Sequence, residues 1–211
     1  MSETKRREQM AELGRALYER GLAPGSSGNL SVRLDDGWLL TPTNGCLGRI
    51  DPASITKLDW SGVRLSGDPP SKEAFLHLAV YEERPSAQAV VHLHSCYAVA
   101  LSCLADADPE DVLPPITAYY VMRVGRLPLV PYYRPGERAL AEAVRPLMRR
   151  THAVLLANHG SVIAGTSLEA AVYAAEELEE TARLYFILRG CGVRSLTEPQ
   201  VAELRATLSI S

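Results

Sequence analysis

With 211 residues, 46% of them hydrophobic, the chain can bury a sizeable core and is expected to form one domain over residues 1–211. Its 22 basic and 25 acidic residues leave a net charge of -3, which offers no electrostatic footprint for nucleic acid or an anionic membrane. No apolar run approaches the roughly 20 residues that span a bilayer, and the start MSETKRREQM lacks a signal-peptide core, so a cytoplasmic protein is expected.

In chain order, an amphipathic helix is predicted over residues 5–20, followed by the small-residue loop Pro24-Gly25-Ser26-Ser27-Gly28. LSVRL and WLLTP flank Asp35-Asp36-Gly37, whose residues tolerate positive φ, so they read as an antiparallel hairpin. Pro69-Pro70 closes an irregular stretch, and Ser71 then stands as the cap of a helix running to about Glu83, with Glu73 in its first turn. AVVHLHS (89–95) and VLLAN (154–158) read as buried strands. The proline-rich stretch 105–135 between them reads as loop and edge strand, suited to subunit contacts or substrate-facing groups. A long helix follows the second strand, from about Thr166, with Glu169 completing a capping box, to Arg189. The alternation of helix and strand predicts a layered α/β fold whose sheet is not purely parallel.

Residues two apart on a strand share a face, so His92 and His94 set two imidazoles side by side while Val91 and Leu93 point into the opposite layer. Such a pair serves either as metal ligands or as hydrogen-bonded core residues. His159, at the end of VLLAN and before Gly160, adds a third imidazole at a strand end or else caps the junction there. Three imidazoles favour zinc over magnesium and leave a position open for substrate. His77 and His152 show no comparable convergence and read as structural or solvated. Glu73 near a helix start suits a base or fourth ligand, or simply complements the helix dipole. With Ser71 and Lys72 it resembles an anion site, and the turns Gly28-Asn29 and Thr41-Pro42-Thr43-Asn44-Gly45 could complete a phosphate cradle. Cys46, Cys96, Cys103 and Cys191 form no C-x-x-C pair and read as reduced; Cys96 reads as a buried filler, with thiolate ligation as the alternative. Glu176, Glu177, Glu179 and Glu180 read as the solvated face of the long helix.

Taken in order, SSGNLSVR, LLTPTNG, SGDPPSKE, VVHLHS and LANHG resemble the class II aldolase/adducin family, over roughly residues 10–190. The resemblance implies a three-layer α/β/α fold with a mainly antiparallel, mixed central sheet. It implies one Zn2+ per chain, with Mn2+ or Co2+ as alternatives, on His92, His94 and His159, and an acid/base Glu73 that also approaches the metal. It places the substrate phosphate against Gly28, Asn29, Thr43, Asn44, Ser71 and Lys72. It also implies a homotetramer with active sites between subunits, to which Tyr119, with Tyr120 beside it, corresponds to a tyrosine lent by the neighbour. Two positions depart from the aldolases of the family: Lys72 stands where serine is usual, and Asn44 where glycine is common. The strings TPTNGCLGRIDP, LSGDPPSKE, VMRVG, LVPYYRPG and EELEETARL look more like the branch that decarboxylates 3-oxo-tetronate 4-phosphates. The expected activity is therefore decarboxylation through an enediolate. A fuculose-phosphate-type aldolase, a phosphosugar epimerase and a non-catalytic adducin-like module are the alternatives.

Overall fold

A computed structural model describes residues 1–208; residues 209–211, the end of the expected domain, lie outside the described part. The hairpin forms as the turn residues predict: β1 (Asn29–Leu34) and β2 (Gly37–Leu40) pair antiparallel, with Leu34 opposite Gly37 across Asp35-Asp36. Gly37 has no room for a side chain, because a Cβ there would lie 2.1 Å from the Leu58 carbonyl of the next strand. That strand, β3 (Thr56–Leu58), carries the short edge strand β4 (Arg64–Ser66). On the other side of β1 lies β5 (Ala89–Leu93), followed in the sheet by β8 (Gly160–Gly165), β7 (Ala153–Leu156) and β6 (Leu129–Val130). Among the described residues the sheet has eight strands in the order β4-β3-β2-β1-β5-β8-β7-β6, and only β6 with β7 is parallel. It is the mixed, mostly antiparallel sheet that was expected.

Strand alternation sorts the core into two layers. Ala89, Val91 and Leu93 of β5 and Ile163 of β8 pack under α1 (Glu3–Glu19), α3 (Cys96–Ser102), α4 (Ala118–Arg123), α6 (Leu168–Ile187) and α7 (Glu198–Leu208). Val90, Val154 and Val162 face the opposite way, beneath α2 (Ala74–Glu83) and α5 (Arg138–Met148). Each buried Val or Leu contributes about 1.5–3 kcal/mol to this arrangement. The period of two therefore sends Asn29, Ser31, His92 and His94 to the α2 layer.

Four local readings change. Within 105–135, read as loop and edge strand, residues Ala118–Arg123 form the helix α4, capped by the Thr117 hydroxyl, which accepts the Tyr120 N–H. The helix after Pro70 begins at Ala74 rather than Ser71, and Glu73 is its N-cap residue; the Ser71 hydroxyl accepts the Glu73 N–H at 3.3 Å in a turn that precedes the helix. The long helix is capped by Ser167, whose hydroxyl accepts the Ala170 N–H, because Thr166 is still leaving β8; Glu169 instead binds Gln9 of α1. Between VLLAN and that helix the chain forms β8, whose buried GSVIAG run is read as neither strand nor helix from the sequence.

Candidate metal centre

His92 lies one residue inside the end of β5, and His94 one residue beyond it. His159 arrives from the β7–β8 turn, where Leu156 pairs with Gly160 and residues 157–159 form the bend. Asn158 adopts φ +55° there, a conformation asparagine tolerates, and its backbone N–H donates to the Ser102 carbonyl at 3.2 Å. Gly160 lets the turn close on β5, since a Cβ would lie 2.2 Å from the Leu93 carbonyl. The three imidazoles thus form a triangle with ring centroids 4.7, 4.8 and 4.9 Å apart. Glu73 enters from the start of α2, and the ligand atoms of all four side chains lie within 4.8 Å of one another.

Hydrogen-bond logic tests whether a cation fits. His92 Nδ1 lies 2.8 Å from the Ser161 carbonyl, which can only accept, so this nitrogen bears the proton and the neutral ring presents a bare Nε2. That lone pair faces His94 Nε2 at 3.0 Å and Glu73 Oε2 at 3.3 Å. His159 Nε2 lies 3.3 Å from Glu73 Oε1, a buried oxygen that has no hydrogen bond. A bare His92 nitrogen this close to a carboxylate calls for a positive charge between them. Imidazole nitrogens bound tetrahedrally to one zinc ion would stand about 3.3 Å apart, close to the spacing seen. The residues fit a divalent ion.

The electrostatics agree. Burial by itself would raise the Glu73 carboxyl, but positive charge at His92, the adjacent His159 and His92 nitrogens and the hydrogen bond from Asn29 hold it far below the usual carboxylate range. Burial would lower His92, and the adjacent Glu73 raises it above the ordinary imidazole value instead. Both shifts state the same demand, a positive charge between ring and carboxylate. His94 is pushed down to about 3 by burial and by the charges of His92 and His159, which leaves its lone pair free for a ligand.

From this cluster a cleft of about 520 Å³ opens toward Gly28, Thr43, Asn44, Ser71 and Lys72. A bridge between Pro42 and Pro70, with Thr43 N–H donating to Pro69 O at 2.9 Å, ties the two loops together. Asn44 has φ +58°, the glycine-like conformation that asparagine accepts, so this departure from glycine leaves the backbone path intact. Asn29 also lines the cleft, but both ends of its amide are engaged: Nδ2 donates to Glu73 Oε2 at 2.8 Å, and Oδ1 meets His77 Nε2. Tyr132 and Asn158 also line it; both fall within the strings LVPYYRPG and LANHG, but nothing in the residues singled them out as site groups.

Other candidates lie elsewhere. Tyr119 on α4 is 61% exposed, whereas Tyr120 is buried within its own chain, and neither lines the cleft. Cys96 is exposed at the first turn of α3 and is neither filler nor ligand. Of the acidic run, Glu179 is buried: its two oxygens accept the backbone N–H groups of Tyr97 (2.8 Å) and Ala98 (2.9 Å), capping α3 where Ser95 makes no side-chain cap. The α6 face bearing Glu179 lies against α3, which removes it from solvent. His152 is half-buried against the Arg123 carbonyl, and His77 is fully buried.

The class II aldolase and adducin N-terminal domain matches residues 8–186. The chain belongs to this family. Within it, a 3-oxo-tetronate 4-phosphate decarboxylase from Pectobacterium atrosepticum is 52% identical over 204 residues, covering 96% of this chain and 94% of that protein. An L-fuculose phosphate aldolase from Haemophilus influenzae is 37% identical, over 82% of this chain and 78% of its own length. The crystal structure of YgbL from Klebsiella pneumoniae superposes with a TM-score of 0.95 at 50% identity, covering 97% of this chain and all of that one. The class II aldolase family thus holds relatives of this chain named for both activities.

Proposed function

We propose that this chain is a divalent-metal-dependent carboxy-lyase that converts a 3-oxo-tetronate 4-phosphate to dihydroxyacetone phosphate and carbon dioxide. Near-full-length identity to decarboxylases of that name, well above that to the aldolase, supports the substrate. The observation that carries the chemistry is the Glu73 carboxylate grouped with three imidazoles at the inner end of the cleft, its buried Oε1 unbonded beside His159.

In this reading His92, His94 and His159 hold the ion, and their nitrogen donors favour zinc, with manganese or cobalt as functional substitutes. When bound, the ion supplies Lewis-acid stabilisation of the charge that develops on substrate oxygens as carbon dioxide departs. Ser71 and Lys72 receive the phosphate, with Gly28, Thr43 and Asn44 forming the opposite wall. Asn29 stands between that wall and the carboxylate. The electron pair of the broken C1–C2 bond is retained as an enediolate, and Glu73 delivers the proton that forms the new C2–H bond. The exposure of Tyr119, away from its own cleft, supports a role for it at the site of a second copy within a homotetramer. Among the described residues no helix is long and apolar enough to cross a membrane, in keeping with a soluble enzyme acting on a small phosphorylated acid.

The decisive experiment supplies the purified protein with kinase-generated 3-oxo-tetronate phosphate and measures products. Equal amounts of carbon dioxide and dihydroxyacetone phosphate are expected. Efficient retro-aldol cleavage of fuculose or ribulose phosphates without carbon dioxide would transfer the assignment to the aldolases.

A further inference from the structure

The first turns of α2 and the start of β1 interlock through a single line of buried hydrogen bonds. Glu73, His77 and Tyr81 recur every four residues from the cap of α2, and Asn29 and Ser31 recur every two along β1. Four helical residues rise about 6 Å and two strand residues about 6.6 Å, so the two rows stay in step. The side chains alternate accordingly: Glu73 to Asn29, Asn29 to His77, His77 Nδ1 to Ser31 Oγ at 2.7 Å, and Ser31 Oγ to Tyr81 Oη at 2.8 Å. Trp38 stacks beside His77 with ring centroids 6.4 Å apart and helps close the line from solvent.

The donors in this line are fixed by elimination. An ionised carboxylate only accepts, so the Asn29 group at Glu73 is the NH2 and its carbonyl faces His77. His77 Nε2 must then carry the hydrogen. In a neutral ring Nδ1 is bare, so Ser31 donates to it and in turn accepts from Tyr81. Every hydrogen bond therefore runs one way, from Tyr81 toward Glu73, and ends on Oε2. Oε1 receives nothing from the line and has no hydrogen bond of its own.

We propose that His77 is a positioning residue that acts on Glu73 through Asn29, holding Oε2 as a permanent acceptor and reserving Oε1 as the oxygen that carries the proton. The proposal rests on the acid/base reading of Glu73. Glu73 is ionised at rest; once C1 has left as carbon dioxide, Oε1 takes a proton from solvent and passes it to C2, so the C2–H bond forms as the Oε1–H bond breaks and the carboxylate is restored. The other tautomer of His77 would set a bare Nε2 against the Asn29 carbonyl, turn the amide, and release Oε2 to compete for the proton.

The test reads the tautomer directly, by long-range 1H–15N NMR of the metal-loaded enzyme labelled at histidine. A His77 protonated at Nε2 and bare at Nδ1 is expected in the wild type, with that preference lost in Ser31→Ala. An Nδ1–H or doubly protonated ring in the wild type overturns the proposal. This readout needs no substrate, so it stands apart from the decarboxylase assignment. Kinetics then separate positioning from scaffolding. His77→Leu should lower kcat about 10-fold or more, with KM within about twofold and bound metal retained, while His77→Gln, which keeps an N–H donor, should recover most of the loss. Equal losses in both variants, or losses that follow metal content, overturn the role. Should His77→Leu not fold, Ser31→Ala decides: kcat is expected to fall with KM unchanged, and a wild-type kcat there overturns it.

Discussion

Glu179 offers the clearest quantitative handle on how the fold supports the metal site. Its carboxylate accepts two N–H groups at the start of α3, two and three residues after Ser95, and His94 directly precedes Ser95. Glu179→Gln keeps one acceptor oxygen but turns an NH2 toward the other buried N–H. Leaving that donor unpaired costs about 1–3 kcal/mol, so a loss near 2 kcal/mol is expected. Glu179→Ala orphans both donors and also removes the favourable charge from the helix terminus, for about 4 kcal/mol or slightly more. For a chain of this size each kcal/mol lowers the melting temperature by about 2–4 °C, giving falls of about 4–8 °C and about 8–16 °C. Because the capped turn fixes the segment that carries His94, metal affinity should also drop, by about 10-fold or more. Thermal unfolding of the metal-loaded and metal-free proteins, with chelator competition for affinity, measures both effects. Melting within about 1 °C of wild type in both variants, or unchanged metal affinity, would refute the idea that this carboxylate holds the site in place.

Other consequences follow from the site itself. Alanine at His92, His94 or His159 should remove most bound metal and activity, and full occupancy in His94→Ala by elemental analysis would exclude it as a ligand. Glu73→Gln should keep one metal ion per chain yet lose about 10²-fold or more in kcat, the scale of an acid/base contribution; turnover near wild type would count against that role. Lys72→Ala should raise KM for the phosphorylated acid strongly with a smaller change in kcat, and an unchanged KM would move Lys72 away from the phosphate. Burial and the charge of His92 push His77 down to about 3, from 6.5 in the unfolded chain, so unfolding takes up a proton between those values. The stability this neutral ring contributes is complete above pH 6.5 and declines as pH falls toward 3, by up to about 1.4 kcal/mol per pH unit. Urea unfolding of His77→Gln between pH 7 and 5 should show a shallower acid loss than wild type, and an identical slope would contradict a buried neutral His77.

Much of the site could be read from local pattern. The period of two placed His92 and His94 on one face and sent Val91 and Leu93 to the other, because strand geometry fixes side-chain direction without reference to the rest of the fold. The Asp35-Asp36-Gly37 turn and the ordered motifs likewise gave the hairpin, the family and its mixed sheet. Period says which face a residue takes, but not what covers that face. Only the folded chain could show that α2 lies over β1 in register, so that His77, with no motif of its own, joins Asn29 to Ser31. Only it could turn Glu179 from a solvated face into a cap for a helix more than 80 positions earlier in the chain. The start of α2 was misplaced for the same reason: Ser71 looks like a cap by sequence, yet Glu73 is drawn out of the first turn toward three imidazoles from distant strands. Hydrogen bonds and charges between residues far apart in sequence depend on which elements the core packs together, and that packing is a property of the whole fold.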